Sequence, residues 1–237
     1  MAIEQHILLA VDALVLGYTP DSGLSALLIK RRYSPFEKMW ALPGGFVKDD
    51  ESLEDAVSRE LEEETGVKIE YLEQLYSFGK PDRDPRRRVV SVSYYALVKP
   101  DIYQLHATTD AEDVGWFDIN KLPELAFDHR HILEMGLDRV RNKMTYEPIG
   151  FNLLDEKFAF ADLLKLYEAI IGDNKKLIID RANFKKKLKS LGIIEELPES
   201  RKQPGSGRPA RLYRFNREQY FEKKNRGVFE MLFPHRS

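Results

Sequence analysis

Apolar positions follow two rhythms along this chain, and the change from one to the other maps its elements. His6–Gly17 and Leu24–Arg31 are almost continuously apolar, and the TPDSG between them supplies Pro20, Asp21 and Gly23. Such runs, bounded by turn residues, predict two buried strands joined as a hairpin. Met39–Val47 is a further extended segment, interrupted by Pro43-Gly44-Gly45. The period then lengthens. Leu53, Ala56, Val57 and Leu61 recur at helical spacing through the charged stretch Glu51–Thr65, with Ser52 placed to cap the start and Gly66 to end it. Ile69–Phe78 and Val89–Val98 predict strands, and the basic, proline-broken GKPDRDPRRR lies between them. Val114–Ile119 predicts a short strand and Arg130–Lys143 a helix. The order β-β-β-α-β-β-β-α is mixed α/β.

Pro148 and Gly150 break the pattern within Tyr146–Leu154, and the domain junction is placed there, giving domains 1–150 and 151–237. Beyond it, Phe160–Ile171 repeats apolar residues at helical spacing. Asp180 is placed to cap a second helix, Arg181–Leu191, which Gly192 ends. Ile193–Leu197 and Arg211–Phe215 predict two short strands around a basic, Gly- and Pro-rich tip, PESRKQPGSGRPA. Helix, basic helix, strand, basic tip, strand is the order of a winged helix.

Composition sharpens this division. The 237 residues carry a net charge of −2, but residues 1–150 carry −9 and residues 151–237 carry +7. Arg181 to Arg214 alone holds ten Lys/Arg against three Glu. A basic patch of this kind attracts a polyanion by neutralising phosphates and releasing counterions. With 43% hydrophobic residues the chain can bury a core. Its longest apolar runs, such as HILLAVDALVLG, stop well short of the ~20 residues a membrane helix needs, and no signal peptide is expected. The chain has no cysteine, which excludes disulfides, thiolate zinc sites and Cys nucleophiles and fits a cytoplasmic protein.

The chemistry concentrates in the first helix. At roughly 100° per residue, Glu60, Glu63 and Glu64 fall within about a 100° arc of one face. Like charges at these spacings repel, so a compensating partner is required. A hard divalent cation, Mg²⁺ or Mn²⁺, is the simplest one, and Mg²⁺ commonly takes substrate phosphates as further ligands. Gly44-Gly45 lets the backbone approach a ligand closely, and the Gly45 carbonyl is placed to join the metal shell. Arg59 and Glu51 are spaced to pair. Glu62 points to the opposite, solvated face. A solvated acidic face without a metal is the plain alternative on spacing alone.

From Gly45 to Val67 the chain resembles the Nudix box, G-x5-E-x7-R-E-U-x-E-E-x-G-U with U apolar. It does so at every defined position: Gly45, Glu51, Arg59, Glu60, Leu61, Glu63, Glu64, Gly66 and Val67. The preceding LPGG is similar to the family as well. The resemblance implies an α/β/α sandwich with a mixed sheet, and a site in which Glu60, Glu63 and Glu64 bind Mg²⁺ or Mn²⁺. It further implies that Arg59 orients a glutamate and that Glu51 pairs with Arg59. The implied reaction is water attack on a phosphorus of a nucleoside diphosphate linked to another group. Glu64 and the loop carboxylate Glu112 are candidate bases.

The loop before the Val89–Val98 strand adds Arg83, Arg86, Arg87 and Arg88, which can grip phosphates bidentately or pair with Asp82 or Asp84. This stretch resembles the RDPR-containing segment of Nudix proteins that handle ADP-ribose, which makes ADP-ribose the leading expected ligand. Arg83, Arg86 and Arg88 are the expected substrate contacts. Phe46 is the leading candidate to stack on adenine, ahead of Trp116 and Tyr95, for which core packing is the commoner role. His129 and His131 are expected to be structural.

In the second domain Phe184, Leu188 and Leu191 share one helix face, while Arg181, Lys185, Lys186 and Lys189 occupy the rest. A helix so divided can enter a major groove, with Arg181 placed to read guanine and Asn183 adenine. Arg201, Lys202 and Arg208 on the tip are the expected wing contacts. EPIGFNLL, DRANFKKKL and GRPARLYRF resemble the Nudix-related transcriptional regulators, which join a Nudix-type sensor to a winged helix and bind palindromic operators as dimers. That resemblance implies a homodimer with a double-stranded DNA operator and a nucleotide effector such as ADP-ribose. The complete box further implies retained hydrolysis. The alternative expectations are a housekeeping ADP-ribose pyrophosphatase with a C-terminal dimerisation module, or a sensor without turnover.

Overall fold

β1 (Leu8–Thr19) is buried along almost its whole length, as expected of a strand covered on both faces. In the computed structural model it pairs in parallel with β6 (Val89–Val98), from Leu8↔Val89 to Gly17↔Val98, and antiparallel with β2 (Gly23–Arg31) through the expected hairpin. The structure describes residues 6–69, 72–107, 110–172, 179–202, 209–229 and 232. β3 (Trp40–Ala41) joins β2, and β4 (Gly44–Phe46) joins β1. β5 (Glu73–Phe78) pairs with β6, and β7 (Ala111–Asp118) pairs with β2. The result is a seven-stranded mixed sheet.

α1 (Leu53–Thr65) lies on one face of this sheet. Its Ala56, Val57 and Leu61 pack with Val11, Ala13 and Val15 of β1 and with Val92 and Tyr94 of β6. The Ser52 hydroxyl accepts the Asp55 amide at 3.1 Å, and Gly66 ends the helix at φ 73°, where a side chain would be strained. α2 (His129–Met144) approaches the other face so closely that a methyl group on Gly136 would stand 2.1 Å from Leu14 Cδ2. Helix, sheet and helix therefore form three layers, as the Nudix resemblance implies. β7 begins at Ala111, earlier than expected, and β5 begins at Glu73, later than expected.

The chain divides into two compact units, Met1–Leu137 and Asp138–Ser237. The division falls inside α2, ahead of the junction read from Pro148 and Gly150. The second unit contains β8 (Phe158–Ala159), α3 (Phe160–Ile171), α4 (Arg181–Ser190), β9 (Ile194–Arg201), β10 (Ala210–Phe215) and α5 (Arg217–Asn225). Its sheet has the order β8-β10-β9, with both pairings antiparallel. Leu163, Leu166, Tyr167 and Ile170 of α3 and Phe184 and Leu188 of α4 are buried, as are Ile193 and Tyr213. Strand, two helices and two strands meeting in one small sheet is winged-helix topology.

Candidate functional site

The loop 42–46 is fixed from several sides before it reaches α1. The Leu42 amide donates to His129 Nδ1 at 2.9 Å, and the Pro43 carbonyl accepts the Ala13 amide at 2.8 Å. The Gly44 amide donates to Glu64 Oε2 at 2.8 Å. Two glycines are needed here for space. A Cβ on Gly44 would sit 2.2 Å from the Val11 carbonyl oxygen, and one on Gly45 would sit 2.3 Å from Glu60 Oε1. The Gly45 backbone thus lies directly against the Glu60 carboxylate.

Arg59 is the hub of the acidic face. Its Nε and Nη2 grip both Glu51 oxygens, at 2.8 and 2.6 Å. Its Nη1 donates to Glu60 Oε1 at 2.8 Å and to Glu63 Oε2 at 3.2 Å, and Nη2 also reaches the Phe46 carbonyl. The two-pronged bond from Arg59 holds the Glu51 carboxyl down to about 2, and Glu51 in turn raises the Arg59 guanidinium. Burial pushes Glu60 up despite Arg59. Burial also pushes Glu64 up to about 8, opposed by the Gly44 amide and reinforced by the charges of Glu60 and Asp110.

A cavity of about 510 Å³ opens over this face. Gly44, Gly45, Glu60 and Glu64 form one wall, while Arg31, Arg83 and Arg86 contribute cations from other elements. Phe46 is 40% exposed on the rim, and the Arg86 guanidinium lies 5.8 Å over its ring. Arg86 is itself gripped by Asp84 at 2.7 Å. The floor is a buried polar cluster. Asp12 accepts the Ser91 hydroxyl at 2.5 Å and Arg83 Nη2 at 3.3 Å, and it faces His129 Nε2 at 3.4 Å. Arg83 also forks onto Asp128 at 2.7 and 3.0 Å. Burial lowers the pKa of His129, so the ring is neutral and accepts through Nδ1.

In the second unit Asp180 caps α4 by accepting the Ala182 and Asn183 amides, both at 3.0 Å. Phe184 and Leu188 face inward, and Leu191 is half-buried at the helix end. Arg181, Asn183, Lys186 and Lys189 are exposed, and Lys202 follows β9 at the start of the tip. Lys186 and Lys202 make no ion pair among the described residues. Lys185 instead folds its ammonium over Phe160 and Tyr213, at 5.5 and 4.9 Å. Arg208 lies outside the described residues.

Comparison with known proteins agrees with both halves. The NUDIX domain family matches residues 8–135, and the NrtR DNA-binding winged helix domain family matches residues 150–215. The ADPR responsive transcriptional repressor NtrR of Acinetobacter baylyi is 35% identical over 218 residues, covering 90% of this chain and 84% of that one. The chain belongs to the NrtR-type Nudix proteins. The crystal structure of Shewanella oneidensis NrtR complexed with a 27mer DNA superposes with a TM-score of 0.76 at 31% identity, covering 97% of this chain and 99% of that one. The ADP-ribose pyrophosphatase of Methanocaldococcus jannaschii is 43% identical over 129 residues, covering 54% of this chain and 72% of that one.

Within this NrtR-type chain the expected site residues separate. Phe46, Arg86, Gly45, Glu60 and Glu64 line the cavity together. Arg83 also borders it, but its guanidinium is only 5% exposed and is committed to Asp12 and Asp128. Arg88 donates to the Lys80 and Val89 carbonyls and is not on the cavity wall. Glu112 pairs with Lys30 at 3.6 Å on β7 rather than facing the cavity, where Asp110 stands instead. Tyr95 is buried in the sheet and Trp116 packs against the core. His131 sets its ring against Phe78, and Glu62 is exposed beside Lys68.

Sequence reasoning passed over Asp12, Arg31, Asp110 and Phe127, all of which line the cavity. Asp12 carried a signal, since it is a carboxylate in the middle of an apolar strand. Arg31 and Asp110 come from the ends of elements and carry no local motif.

Among the described residues no three acidic or imidazole side chains converge as a ready-made metal set. Glu60 and Glu63 both lean on Arg59, while Glu64 turns to Gly44. The donor chemistry nevertheless fits a hard cation. The acids are oxygen donors only, the Gly45 backbone is packed on Glu60, and the buried Glu64 carries a desolvation cost that a cation would offset.

Proposed function

We propose that this protein is a homodimeric, operator-binding transcriptional repressor of the cytoplasm. In this reading domain 1–150 binds ADP-ribose and hydrolyses it, and domain 151–237 holds the DNA. One observation carries the ligand reading. The cavity sets the acids Glu60 and Glu64 opposite Arg31 and Arg86, with the exposed Phe46 ring at its rim. That is a site for a diphosphate between an aromatic base and a polar group, and its size suits a ligand of that class. The ADPR-responsive repressor and the ADP-ribose pyrophosphatase among its relatives support the same nucleotide.

In this reading Glu60, Glu63, Glu64 and the Gly45 carbonyl would hold Mg²⁺ or Mn²⁺, the ion class Nudix hydrolases generally use. The ion supplies charge neutralisation on the diphosphate and activation of water. Arg59 keeps Glu60 and Glu63 aligned, and Arg86 binds phosphate oxygens. Arg31 lies over the Phe127 ring at 4.8 Å with its Nε on the Pro35 carbonyl, so it presents a pre-aimed cation to the same ligand. Water attack on one phosphorus breaks the bridging P–O bond, releasing AMP and ribose 5-phosphate. Repression is relieved only if ADP-ribose prefers the DNA-free arrangement of the dimer, because a ligand shifts an equilibrium by its differential affinity alone.

The test is a gel shift with the DNA upstream of the gene that encodes the protein. Selective binding that ADP-ribose weakens is the expected result, and no selective binding overturns the reading. A second reading, a housekeeping pyrophosphatase, is favoured by the intact Glu51–Arg59 pair. Rapid AMP release without DNA binding would establish it.

A further inference from the structure

Four of the cations on the basic face are already held by carboxylates of the same module. Lys189 Nζ lies 2.7 Å from Glu196 Oε2, and Arg211 Nε lies 3.7 Å from Glu196 Oε1. The Tyr213 hydroxyl reaches this carboxylate at 3.4 Å. Arg181 stands 3.2 Å from Glu168, and Arg201 is paired with Asp162. Glu196 therefore engages two cations at once, one on α4 and one on the wing strand β10. Each partner's proton affinity follows, with Lys189 raised and Glu196 lowered by the bond between them.

Exposed pairs of this kind add little to folding and open readily. Their effect on a polyanion is larger. When Lys189 turns to a phosphate, Glu196 remains on β9 beside it, and its negative charge then faces the duplex. Each such carboxylate cancels one cation in the count of phosphates neutralised, and that count sets both affinity and salt dependence. We propose that Glu196 is an electrostatic brake on the DNA face, an internal counter-ion that competes with phosphate for Lys189 and Arg211 and weakens binding to every duplex. Such a brake keeps operator affinity within the range that an effector's limited differential affinity can reverse.

This inference rests on the DNA-binding reading, and its test separates the two. Wild type and Glu196→Gln are titrated with operator and with unrelated duplex over a series of salt concentrations, with thermal melts confirming that both fold. Gln keeps the hydrogen-bonding shape and removes the charge. The brake predicts tighter binding to both duplexes, by about three- to tenfold near 0.1 M salt, and a log K against log salt slope steeper by about 0.9. Unchanged binding, or weaker binding from loss of an orienting contact on Lys189, overturns the brake. Absence of binding by the wild type overturns the DNA-binding reading itself. Should Glu196→Gln melt far below the wild type, Glu196→Ala is measured for the same two signatures.

Discussion

The Gly44 amide donates to Glu64 Oε2 at 2.8 Å, and this bond ties the cavity loop to the acidic face of α1. The bond favours the ionised carboxylate, yet burial outweighs it and holds Glu64 near 8. Against an ordinary carboxyl at about 4.5, the folded state binds this proton more tightly than the unfolded state. Stability therefore falls as pH rises between the two values. His129 acts in the opposite direction, because its lowered pKa makes stability rise with pH up to the ordinary histidine value of about 6.5. Between pH 6.5 and 8 the Glu64 effect stands alone of the two and amounts to about 2 kcal/mol. Thermal melts in chelator across this window should show a falling Tm for the wild type. A slope just as steep in Glu64→Gln would refute the assignment.

The same proton reports cation binding. If Mn²⁺ takes the Glu64 carboxylate, close to one proton should leave the protein per ion bound at pH 7. Calorimetry in two buffers of different ionisation heat counts that proton, and Glu64→Gln should reduce the count. Equal proton release from both proteins would place the ion elsewhere.

Arg86 and Arg88 are neighbours in sequence with opposite expected consequences. Arg86 lies on the cavity wall over Phe46, so Arg86→Ala should weaken ADP-ribose binding about tenfold or more, the loss of a charge-assisted contact. Arg88 is engaged by the Lys80 and Val89 carbonyls, and Arg88→Ala should leave the affinity within about twofold. Titration calorimetry distinguishes them, and an equal loss in both would show that the loop binds ligand as a charged whole.

The contrast between those two arginines marks the limit of what the chain discloses unfolded. The box is legible because its roles are local. Ser52, Arg59 and Gly66 act on residues within about a helix length, so spacing determines what they meet. Arg83 is not local. Its partners Asp12 and Asp128 lie 71 and 45 positions away and are brought to it by the pairing of β1 with β6 and by the start of α2. No spacing rule reaches that far. β8 escapes notice because it has two residues, and α5 because its only buried side chain is Tyr220. The winged helix as a whole is legible because α3 and α4 carry clear apolar stripes with Asp180 and Gly192 as punctuation.

Asp12 serves three buried partners at once. It compensates Arg83, orients neutral His129 and accepts Ser91, all in buried surroundings. Asp12→Ala leaves Arg83 to Asp128 alone and takes the partner from the buried Ser91 hydroxyl and from His129 Nε2, and should cost about 1–3 kcal/mol. Because His129 holds the Leu42 amide, protection of that amide against hydrogen exchange should fall further than in α5 of the second unit. Uniform loss across both units would mean global destabilisation without the specific link from Asp12 to the loop.

Lys186 and Arg181 sit on the same helix but should fail differently. Lys186 is exposed on α4 with no ion pair among the described residues, so a phosphate would find it free of a competing carboxylate. Lys186→Ala should weaken binding to all duplexes alike and reduce the salt slope by about 0.9. Arg181 and Asn183 stand at the helix N-terminus, the end that meets base edges in a helix docked in the major groove. Arg181→Ala or Asn183→Ala should cost about 1–3 kcal/mol on the operator and much less on unrelated DNA, relaxing sequence choice. Binding isotherms on operator and scrambled duplex at several salt concentrations resolve the two patterns. If Lys186→Ala changed the preference between duplexes and left the slope intact, α4 would present a different face to the groove from the one its buried Phe184 and Leu188 imply.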